Sequence, residues 1–502
     1  MKILSAQQTR AADAATIANE PIASIDLMER AATAFYNRML QFSWINAETP
    51  FVIVAGTGNN GGDGLVIARL LLQSNHVIQV CVCPIAPNKT VDFSQNEQRL
   101  LELGAAITTV ESSADFPPVE PGTVVIDALF GSGLSRPIEG VGAQLIDHIN
   151  QGQASVVSVD IPSGLFCDYG GVGPVISAHY TLTFEQPKLA FMFPENASIV
   201  GQWEVVPIGL DPEFLAKIDV VNHYVLADIA RSIVQGRPKF AHKGSFGHAL
   251  MQAGGHGKMG AAVLATRACL RSGVGLVTAH VPGCGHDILQ TTAPEAMVIV
   301  DGNESYLTET VVPEKYHAVG IGPGLGQEEP TGHVLKMLIQ NSGRPLVIDA
   351  DALNLLAQNK TWLSFLPKRS ILTPHPKEFE RLVGESKDNY ERYQMQLDFA
   401  HKHHCYIILK GAHTAIACPD GDVFFNSTGN PGMATGGSGD VLTGLLTGLL
   451  AQDYPSKQAA ILGVYLHGLA GDIAAEKQSS EAMIAGDIIE CFGTAFQALR
   501  SA

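Results

Sequence analysis

The sequence predicts an α/β protein of two domains, each built on a mainly parallel sheet. First, apolar runs of strand length alternate with longer segments of helical spacing in both halves of the chain. Second, several of these runs end directly in glycine-rich loops. Third, 502 residues exceed the size at which one hydrophobic core stops growing. Strands that alternate with helices need crossover connections, and such connections join parallel strands.

The composition favours folded domains that bind small molecules. Hydrophobic residues make up 46% and charged residues 16%, which is enough for packed cores. The formal net charge of -17 repels phosphate backbones and anionic lipid, so we expect neither nucleic acid nor membrane as a partner. The eight cysteines are scattered without a CxxC pair, and we expect neither a signal peptide nor a membrane span. A cytoplasmic protein with reduced thiols is predicted.

The first half of the chain predicts two helices followed by a series of strands. The first forty residues carry the two helices, and FVIVAG at 51–56 has the continuous apolar character of a buried strand. Residues 62–73 predict a helix. The later strands of this half are predicted at 77–83, 124–128 (VVIDA), 156–161 (VVSVDI) and 180–184 (YTLTF). The pattern loosens around 210–230, so we expect domains at residues 1–222 and 223–502.

The second half repeats the alternation with a different order of motifs, so an internal duplication is not expected. Helices lie between its apolar runs. Its strands are predicted at 248–254 (HALMQAG), 275–281 (GLVTAHV), 318–322 (AVGIG), 345–350 (PLVIDA), 370–374 (SILTP) and 406–411 (YIILKG).

GTGNNGGDG at 56–64 lies where a strand meets the start of a helix. Glycines there let backbone amides approach a phosphate, and the helix dipole favours the negative charge. Residues 56–61 match the GxGxxG pattern, but Cys83 and Pro84 stand where a dinucleotide-binding site usually has an acidic residue. A hydride-transferring site is therefore not expected. A tight turn that packs the helix on the strand is the other interpretation of this loop.

Two further strands of the first half end in aspartate. Asp127 is followed by a Gly/Ser loop, and Asp160 is followed three residues later by Ser163. Polar loops at one edge of a parallel sheet converge where open α/β sheets bind ligands. Either aspartate alone could be a helix cap. Because two of them face an Asn/Gly loop, the pattern favours a binding site.

Together, GTGNNGGDG, DALFGSGL and DIPSGL resemble the NAD(P)H-hydrate epimerase family over about residues 5–215. The resemblance implies a Rossmann-like three-layer α/β/α domain, a potassium ion held by Asn59, Asp127 and Ser163, and Asp160 as the catalytic acid/base. The residues that it implies for binding NADHX or NADPHX, the hydrated dinucleotides, are Gly58, Asn59, Asn60, Gly61, Gly62, Gly131, Ser132, Gly133, Leu134, Ser135, Arg136, Pro137 and Asp160. A non-catalytic dinucleotide-binding module is the alternative for this half.

NPGMATGGSGDVLTG at 430–444 is the strongest motif of the chain. Its small residues open an apolar helix, and Asp440 falls in the first helical turn. Backbone amides at such a helix start can surround a transferring phosphoryl group, and Asp440 can take the proton of the attacking hydroxyl. The alternative interpretation is structural: the small residues allow the start of this helix to pack closely on a neighbouring element. GSGD in this setting resembles the anion hole of ribokinase-like kinases.

Other polar loops of the second half follow strands in the same way. KGAHT at 410–414 offers the Lys410 charge and the Thr414 hydroxyl, and GPGLG at 322–326 lets backbone approach a ligand. The remaining polar candidates are His375 and Glu378 in LTPHPKEFERL, and Asp349, Asp351 and Asn354 in VIDADALN. Magnesium could bind Glu378 or Asp351, since carboxylate oxygens suit this ion.

KGSFGHALMQAGGHGKMGAAVLATRACLRSGVGLVT at 243–278, taken with DADALN, TPHPKEFERL and the 430–444 motif, resembles ADP/ATP-dependent NAD(P)H-hydrate dehydratases over about residues 225–500. The resemblance implies a ribokinase-like α/β/α domain with Asp440 as acid/base. It implies hydrate contacts at Ala262, Gly324, His375 and Asp440, and nucleotide contacts at Lys410, Gly411, Ala412, His413, Thr414 and Gly439. The hydrate hydroxyl would be phosphorylated, and loss of phosphate would restore the reduced ring.

The two resemblances together predict a bifunctional repair enzyme. It would interconvert the R and S forms of hydrated NAD(P)H and dehydrate the S form at the expense of ADP, with ATP as a possible donor. Potassium, magnesium and a homo-oligomer are expected from the same resemblance. The alternative is a kinase for a sugar or vitamin precursor that carries a non-catalytic dinucleotide-binding module.

Overall fold

The computed structural model describes residues 1–85, 88–170 and 173–501, and the chain separates into two compact units. The first unit is Met1–Asn222 and the second is His223–Ala502. Within the described residues, no helix has both the length and the apolar character that a membrane crossing requires.

The first unit is built on a sheet whose neighbouring strands are all parallel. The strands of this sheet are β2 (Phe51–Ala55), β3 (Ile78–Val82), β4 (Ile107–Thr109), β5 (Val124–Ala128), β6 (Ser155–Val159), β7 (Tyr180–Phe184) and β8 (Gln202–Val206). The short strand β1 (Lys2–Ile3) is not part of it. The sheet has the order β4-β3-β2-β5-β6-β7-β8. Its helices are α1 (Ala6–Asn19), α2 (Ser24–Met39), α3 (Asn59–Gln73), α4 (Val91–Glu102), α5 (Gly140–Gln151), α6 (Ala197–Val200) and α7 (Pro212–Lys217).

Helices cover both faces of this sheet, and the central strands are buried on both sides. Successive side chains of a strand point to opposite faces. In β2, Phe51 and Ile53 belong to the apolar core that includes α2 and α3, whereas Val52 and Val54 belong to the core that includes α5. The unit is therefore a three-layer α/β/α structure, and the predicted fold class is confirmed.

The strand order of the first unit reverses between β2 and β5, which are neighbours in the sheet but are not consecutive along the chain. The chain leaves β2 toward β3 on one side and leaves β5 toward β6 on the other. Open α/β sheets bind ligands beyond the carboxyl ends of the strands at such a reversal. The GTGNNGGDG loop and the Asp127 loop both start at this point.

The second unit contains a larger, mostly parallel sheet. Its strands are β9 (Asn222–Val225), β10 (His248–Gln252), β11 (Leu276–Val281), β12 (Met297–Val300), β13 (Ala318–Ile321), β14 (Leu346–Ile348), β15 (Ile371–Leu372), β16 (Tyr406–Leu409), β17 (Ala415–Ala417) and β18 (Val423–Asn426). They follow the order β9-β18-β17-β16-β15-β14-β13-β10-β11-β12. The strands from β10 to β16 pair in parallel, whereas β17 pairs antiparallel with both neighbours.

The helices of the second unit are α8 (Ala227–Ile233), α9 (Met259–Arg271), α10 (His286–Thr292), α11 (Glu329–Asn341), α12 (Ala350–Gln358), α13 (Pro376–Val383), α14 (Asn389–His403), α15 (Ser438–Ala451), α16 (Ser456–Gln478) and α17 (Ala485–Ser501). Short 3-10 turns connect several of these elements in both units. The alternation of parallel strands and helices confirms the predicted α/β class of this half as well.

Helix α15 is the centre of the second core. It is buried along almost its whole length and packs closely on α9. A β-carbon at Gly444 would lie 2.1 Å from the carbonyl oxygen of Ala265, and one at Gly448 would lie 1.9 Å from the hydroxyl of Ser272. Only glycine permits this approach of the two helices. The contact fixes the start of α15, which carries the GSGD motif.

Candidate active sites

A cavity of about 350 Å³ opens at the strand reversal of the first unit. The loops after β2, β5 and β6 contribute to its wall, as the sequence predicts for the polar loops of one sheet edge. The predicted binding residues that line it are Gly58, Asn59, Asn60, Gly131, Ser132, Gly133, Leu134 and Asp160. Ser135, Arg136 and Pro137 line a neighbouring cavity of about 440 Å³, which shares Gly133 and Leu134 with the first.

The glycines of the first loop have two different roles. A β-carbon at Gly61 would lie 1.8 Å from the carbonyl oxygen of Gly56, and one at Gly62 would lie 2.7 Å from the sulfur of Met28. These two glycines therefore allow tight packing and do not line the cavity. Gly58 caps α3 without a side-chain hydrogen bond among the described residues, so the first amides of α3 remain available to an anion.

Replacing Gly61 by alanine should destabilise the first unit by about 1–3 kcal/mol, the usual cost of an overpacked core. The added methyl group would collide with the backbone of Gly56, which cannot rotate away. Chemical denaturation of the whole chain measures the effect. Gly58→Ala is the matched control, because no described atom lies within 4 Å of its β-carbon position. Equal stability losses in the two variants would contradict the packing role of Gly61.

Asp127 is the centre of a buried hydrogen-bond network. Its carboxylate accepts hydrogen bonds from the Ser158 hydroxyl at 2.7 Å, the Ser163 hydroxyl at 2.5 Å and the Ser163 amide at 2.9 Å. The Ser163 hydroxyl also lies 2.8 Å from the amide nitrogen of Phe130. Burial raises the pKa of Asp127, and these hydrogen bonds partly offset the rise.

The two neighbouring asparagines differ in their surroundings. Asn59 is exposed at the cavity. Asn60 donates a hydrogen bond from its amide nitrogen to the carbonyl oxygen of Val159 at 2.9 Å. Its side-chain oxygen is buried and has no hydrogen-bond partner among the described residues. A buried oxygen without a partner is costly unless a ligand or ion satisfies it.

Asp160 follows β6 with a backbone φ of +67°, a strained conformation for a residue other than glycine. Its Oδ1 accepts hydrogen bonds from the Phe184 amide at 3.0 Å and the Thr183 hydroxyl at 3.2 Å. The Lys188 ammonium lies 2.8 Å from the same oxygen, and the Lys188 side chain is only 1% exposed. Two backbone carbonyls, those of Phe184 and Gln186, also accept hydrogen bonds from Lys188. The backbone strain and the convergent donors hold Asp160 at the cavity.

Four charged residues of this site were not predicted as site residues from the sequence. Arg10, Asp13 and Asp63 line the cavity, and Lys188 stands behind Asp160. Burial and the neighbouring Asp160 raise the pKa of Asp13 to about 6, against a lowering by Lys188. Burial, followed by Asp160 and Asp13, raises the pKa of Asp63 well above its usual value. Asp63 could have been predicted as a site residue, because it lies inside the GTGNNGGDG motif. Asp13 lies in helix α1, far along the chain from the motifs of this site.

The second unit holds a cavity of about 750 Å³ beside the start of α15. The predicted residues that line it are His375, Lys410, Gly411, Ala412, Thr414 and Gly439. His413 instead lies with its ring nitrogen 3.3 Å from the Asn426 carbonyl oxygen. Asn430 and Thr435 also line the cavity, and both belong to the 430–444 motif. The KGAHT loop and the GSGD motif therefore meet at one cavity.

The start of α15 is an uncapped helix terminus. Gly437 adopts a left-handed φ of +93°, and its β-carbon would lie 2.4 Å from Leu264, so this position requires glycine. No side chain among the described residues caps the helix, which leaves its first amides to bind an anion. The Ser438 hydroxyl lies 3.4 Å from His467, whose burial lowers its pKa to about 4 and keeps the ring neutral.

A charged cluster lies directly beside this helix start. The Lys410 ammonium is 3.0 Å from Asp349 and 3.9 Å from Glu378. Asp349 also accepts a hydrogen bond from the Thr443 hydroxyl at 2.7 Å. Burial and then Asp349 raise the pKa of Asp440 to about 7, against a lowering by Lys410. Asp440 is therefore poised to exchange a proton near neutral pH.

The other predicted residues of the second unit form a neighbouring group. Asp351 accepts a hydrogen bond from the Gly326 amide at 2.9 Å and lies 3.5 Å from the Lys258 ammonium. Gly324 has a φ of +61° and lies close to the start of α9. A β-carbon added to Gly324 would lie 3.0 Å from the β-carbon of Ala261. Ala262 is fully buried in the same helix and does not line the 750 Å³ cavity.

His375 and Glu378 cap the start of α13 reciprocally. The His375 ring accepts hydrogen bonds from the amides of Lys377 and Glu378, and the His375 amide donates to Glu378 at 2.8 Å. This arrangement is a capping box, with histidine in the place of the usual serine or threonine. Throughout the described parts of the chain, no group of three or more His, Cys, Asp or Glu side chains is arranged to hold a metal.

The sequence is similar along nearly its whole length to known repair enzymes. It is 36% identical over 485 residues to the bifunctional NAD(P)H-hydrate repair enzyme of Moorella thermoacetica. The matched region covers 93% of this chain and 92% of that enzyme. The chain belongs to the bifunctional NAD(P)H-hydrate repair enzyme family. The resemblance predicted from the motifs is therefore confirmed.

Other members and domain families of this repair group also match. The enzyme of the same name from Thermofilum pendens is 36% identical over 497 residues, with 94% of this chain and 92% of that enzyme covered. Residues 249–492 match the family described as NAD(P)H-hydrate dehydratase, and residues 24–190 match the family described as YjeF-related protein N-terminus. A solved structure is also similar, that of an ADP/ATP-dependent NAD(P)H-hydrate dehydratase from Bacillus subtilis co-crystallised with ATP and Mg²⁺. It is 30% identical in sequence, with a TM-score of 0.49, and the match covers 55% of this chain and 98% of the Bacillus subtilis chain.

Proposed function

We propose that this chain repairs hydrated NAD(P)H with two activities. The first unit epimerises the R and S hydrates, and the second unit dehydrates the S hydrate at the expense of ADP. The observation that carries the proposal is the full-length similarity to bifunctional repair enzymes, joined with one carboxyl group at the candidate site of each unit. Asp160 lines the cavity of the first unit, and Asp440 lies in the first turn of α15, next to Gly439 at the cavity of the second unit.

The dinucleotide would bind in the first unit along the loops that line the 350 Å³ cavity. The uncapped amides at the start of α3 are suited to its phosphates, and the glycines after Phe130 allow the chain to approach it closely. Asp160 would exchange a proton with the hydroxyl group of the hydrate. The donors around Asp160 hold one of its oxygens, which leaves the other for the substrate.

The oxygen atoms near Asp127 are suited to a potassium ion. Hard cations prefer oxygen ligands, and Asp127 and Ser163 supply them at the strand reversal. The third ligand predicted from the resemblance is Asn59, which is exposed. We favour Asn60 in this role, because its side-chain oxygen is buried and has no partner among the described residues. Potassium would orient these residues and the loop of residues 131–137.

Removing potassium should lower both the epimerase rate and the stability of the first unit. In wild type, replacing potassium by tetramethylammonium should lower the melting temperature, because an ion that binds only the native state stabilises it. Asn60→Ala should remove most of this potassium dependence, and Asn59→Ala should retain it. Thermal unfolding in the two salts at equal ionic strength measures the effect. Equal dependence in both variants would contradict the choice of Asn60.

The second unit combines the parts of a phosphoryl-transfer site. Lys410, Gly411 and Thr414 would contact the nucleotide, and the amides at the start of α15 would stabilise the transferring phosphoryl group. Asp440 would take the proton of the hydrate hydroxyl as the hydroxyl oxygen attacks the terminal phosphorus of ADP. The bond from this phosphorus to the bridging oxygen breaks, and AMP leaves with its electron pair. Phosphate then leaves with the C–O electron pair, and loss of a ring proton restores the reduced nicotinamide.

The two carboxylates predicted to bind magnesium differ in their contacts and in their distance from the cavity. Asp351 accepts hydrogen bonds from Gly326 and Gln327 and does not line the 750 Å³ cavity. Glu378 is buried, and its carboxylate lies 3.9 Å from the ammonium of Lys410, which lines that cavity. Magnesium commonly binds one or two carboxylates together with substrate phosphates and water. We therefore favour Glu378, and a bound ion would neutralise phosphate charge there.

The proposal is tested by following recovery of reduced-nicotinamide absorbance from mixed NADH-hydrate epimers with ADP or with ATP. We expect complete conversion, faster with ADP. Conversion of only the S epimer would remove the epimerase from the proposal. A stable phosphorylated product without recovered absorbance would instead support the sugar- or vitamin-kinase alternative. Assembly as a homo-oligomer and a cytoplasmic location remain predictions.

A further inference from the structure

Ring opening, a route by which the epimers of the proposed function interconvert, uses a base and an acid, and the sequence identified only Asp160. The hydroxyl group of the hydrate stands on a ring carbon bonded to the ring nitrogen. In ring opening, a base removes the hydroxyl proton, the O–H electron pair forms a C=O bond, and the C–N bond breaks. Its electron pair goes to the ring nitrogen, which takes a proton from an acid. Rotation and the reverse steps close the ring on the opposite face and return both protons.

We propose that Asp13, on helix α1, is the second catalytic proton-transfer residue of this site and acts together with Asp160, which is paired with Lys188. The inference rests on the proposed epimerase function and deepens it. Asp13 and Asp160 line the same 350 Å³ cavity, although 147 positions separate them along the chain. The first helix therefore delivers a carboxyl group to a site that is otherwise built from the sheet loops.

The ion pair makes Asp160 the base of the two. Lys188 is 1% exposed and lies 2.8 Å from Asp160 Oδ1, so a buried positive charge stands directly behind this carboxylate. The Phe184 amide and the Thr183 hydroxyl donate to the same oxygen. All three donors converge on one carboxylate oxygen and leave the other to face the substrate. Lys188 is a positioning residue, because two backbone carbonyls hold it behind Asp160.

Asp13 has the properties of the matching acid. Burial and the charge of Asp160 raise its pKa to about 6, so the protonated form is accessible near neutral pH. Arg10 and Asp63 also line the cavity, and Lys188, which stands behind Asp160, lowers the pKa of Asp13.

Asp63 lines the same cavity but is less suited to this role. Burial and the combined charges of Asp160, Asp13 and Asp92 raise its pKa well above the usual value. A carboxyl group whose pKa is raised in this way holds its proton more tightly than usual and can donate it in a hydrogen bond. Asp63 therefore fits substrate binding, whereas Asp13 can both lose and regain a proton during one turnover.

The test is the rate at which pure S hydrate equilibrates with R hydrate without nucleotide, measured by chromatography of the two epimers. Asp13→Asn should lower kcat by about 100-fold or more, the usual contribution of one acid–base group, with KM changed less than about threefold. Asp13→Glu should restore part of the rate. Asp147→Asn, an exposed change on α5 of equal charge, should match wild type.

The wild-type pH profile tests the proposal without any variant. Because the acid form of Asp13 is required, kcat should fall as the pH rises through about 6. A flat profile between pH 5.5 and 8.5, or Asp13→Asn within about threefold of wild-type kcat, would overturn the role of Asp13. Absence of epimer exchange in wild type would instead refute the underlying epimerase function, and full activity in Asp160→Asn would refute the role of Asp160 as the base.

Discussion

Replacing Asp440 by asparagine should reduce nucleotide-dependent dehydration by about 10²–10⁴-fold, the contribution of a positioned general base. The carboxylate lies in the first turn of α15, next to the amides that would hold the phosphoryl group. Asparagine has nearly the same shape but cannot accept the hydroxyl proton. Recovery of reduced-nicotinamide absorbance from S hydrate and ADP measures the loss. Asp453→Asn, an exposed change just beyond the opposite end of α15, should retain wild-type activity.

The pH dependence provides a second measurement of the same residue. Because burial raises the pKa of Asp440 to about 7, wild-type activity should rise as the pH increases through this value. Stability should change in the opposite sense, since a carboxyl group with a raised pKa in the folded state contributes stability that is lost as the pH rises. Asp440→Asn should therefore unfold at a higher temperature than wild type at pH 8. A variant that is inactive and also less stable at pH 8 would point to a structural role.

Replacing Asp160 by asparagine should stop epimerisation and leave dehydration intact. With mixed epimers and ADP, the variant should convert the S hydrate rapidly and the R hydrate only at the spontaneous rate. We expect an epimerase rate reduced by about 10²–10⁴-fold. Absorbance should consequently rise in a fast phase and then a slow one, whereas wild type should show complete fast conversion.

Lys188 gives the matching test of the ion pair behind Asp160. Lys188→Met removes the buried charge and leaves a side chain of similar length, so it should weaken epimerisation and alter its pH profile. Dehydration of the S hydrate by the same variant reports on the second unit separately. Complete fast conversion of both epimers by Asp160→Asn would refute the catalytic role of this aspartate and return the first unit to the binding-module alternative.

The central strands were predictable because their sequences are continuously apolar. β2 at Phe51–Ala55 and β5 at Val124–Ala128 coincide with predicted strands. A strand that is buried on both faces consists almost entirely of apolar residues, which makes it recognisable in the sequence. β4 at Ile107–Thr109 and β8 at Gln202–Val206 were not predicted. Both are edge strands and are only partly buried, so their sequences lack the apolar run. Their pairing depends on the sheet that is already present.

The site residues that could be predicted from the sequence are those that directly follow a strand. Asp127 and Asp160 meet at one edge because parallel strands direct their carboxyl ends there. Asp13 could not be placed from the sequence, since its helix reaches the cavity only through tertiary packing. Lys188 was also missed, because a lysine in an apolar segment gives no sign that its ammonium group is buried against Asp160.

The glycine contact between α9 and α15 has a consequence for biosynthesis. α15 is apolar on nearly every side, and its glycine-bearing face is covered by α9, which the ribosome makes about 180 residues earlier. Because α9 precedes α15 along the chain, this covering helix has already left the ribosome when α15 emerges. Two other helices contact α15, namely α16 and α17, which follow it along the chain and emerge later. A nascent chain that pauses before α16 has emerged therefore exposes part of an apolar helix, to which a chaperone could bind.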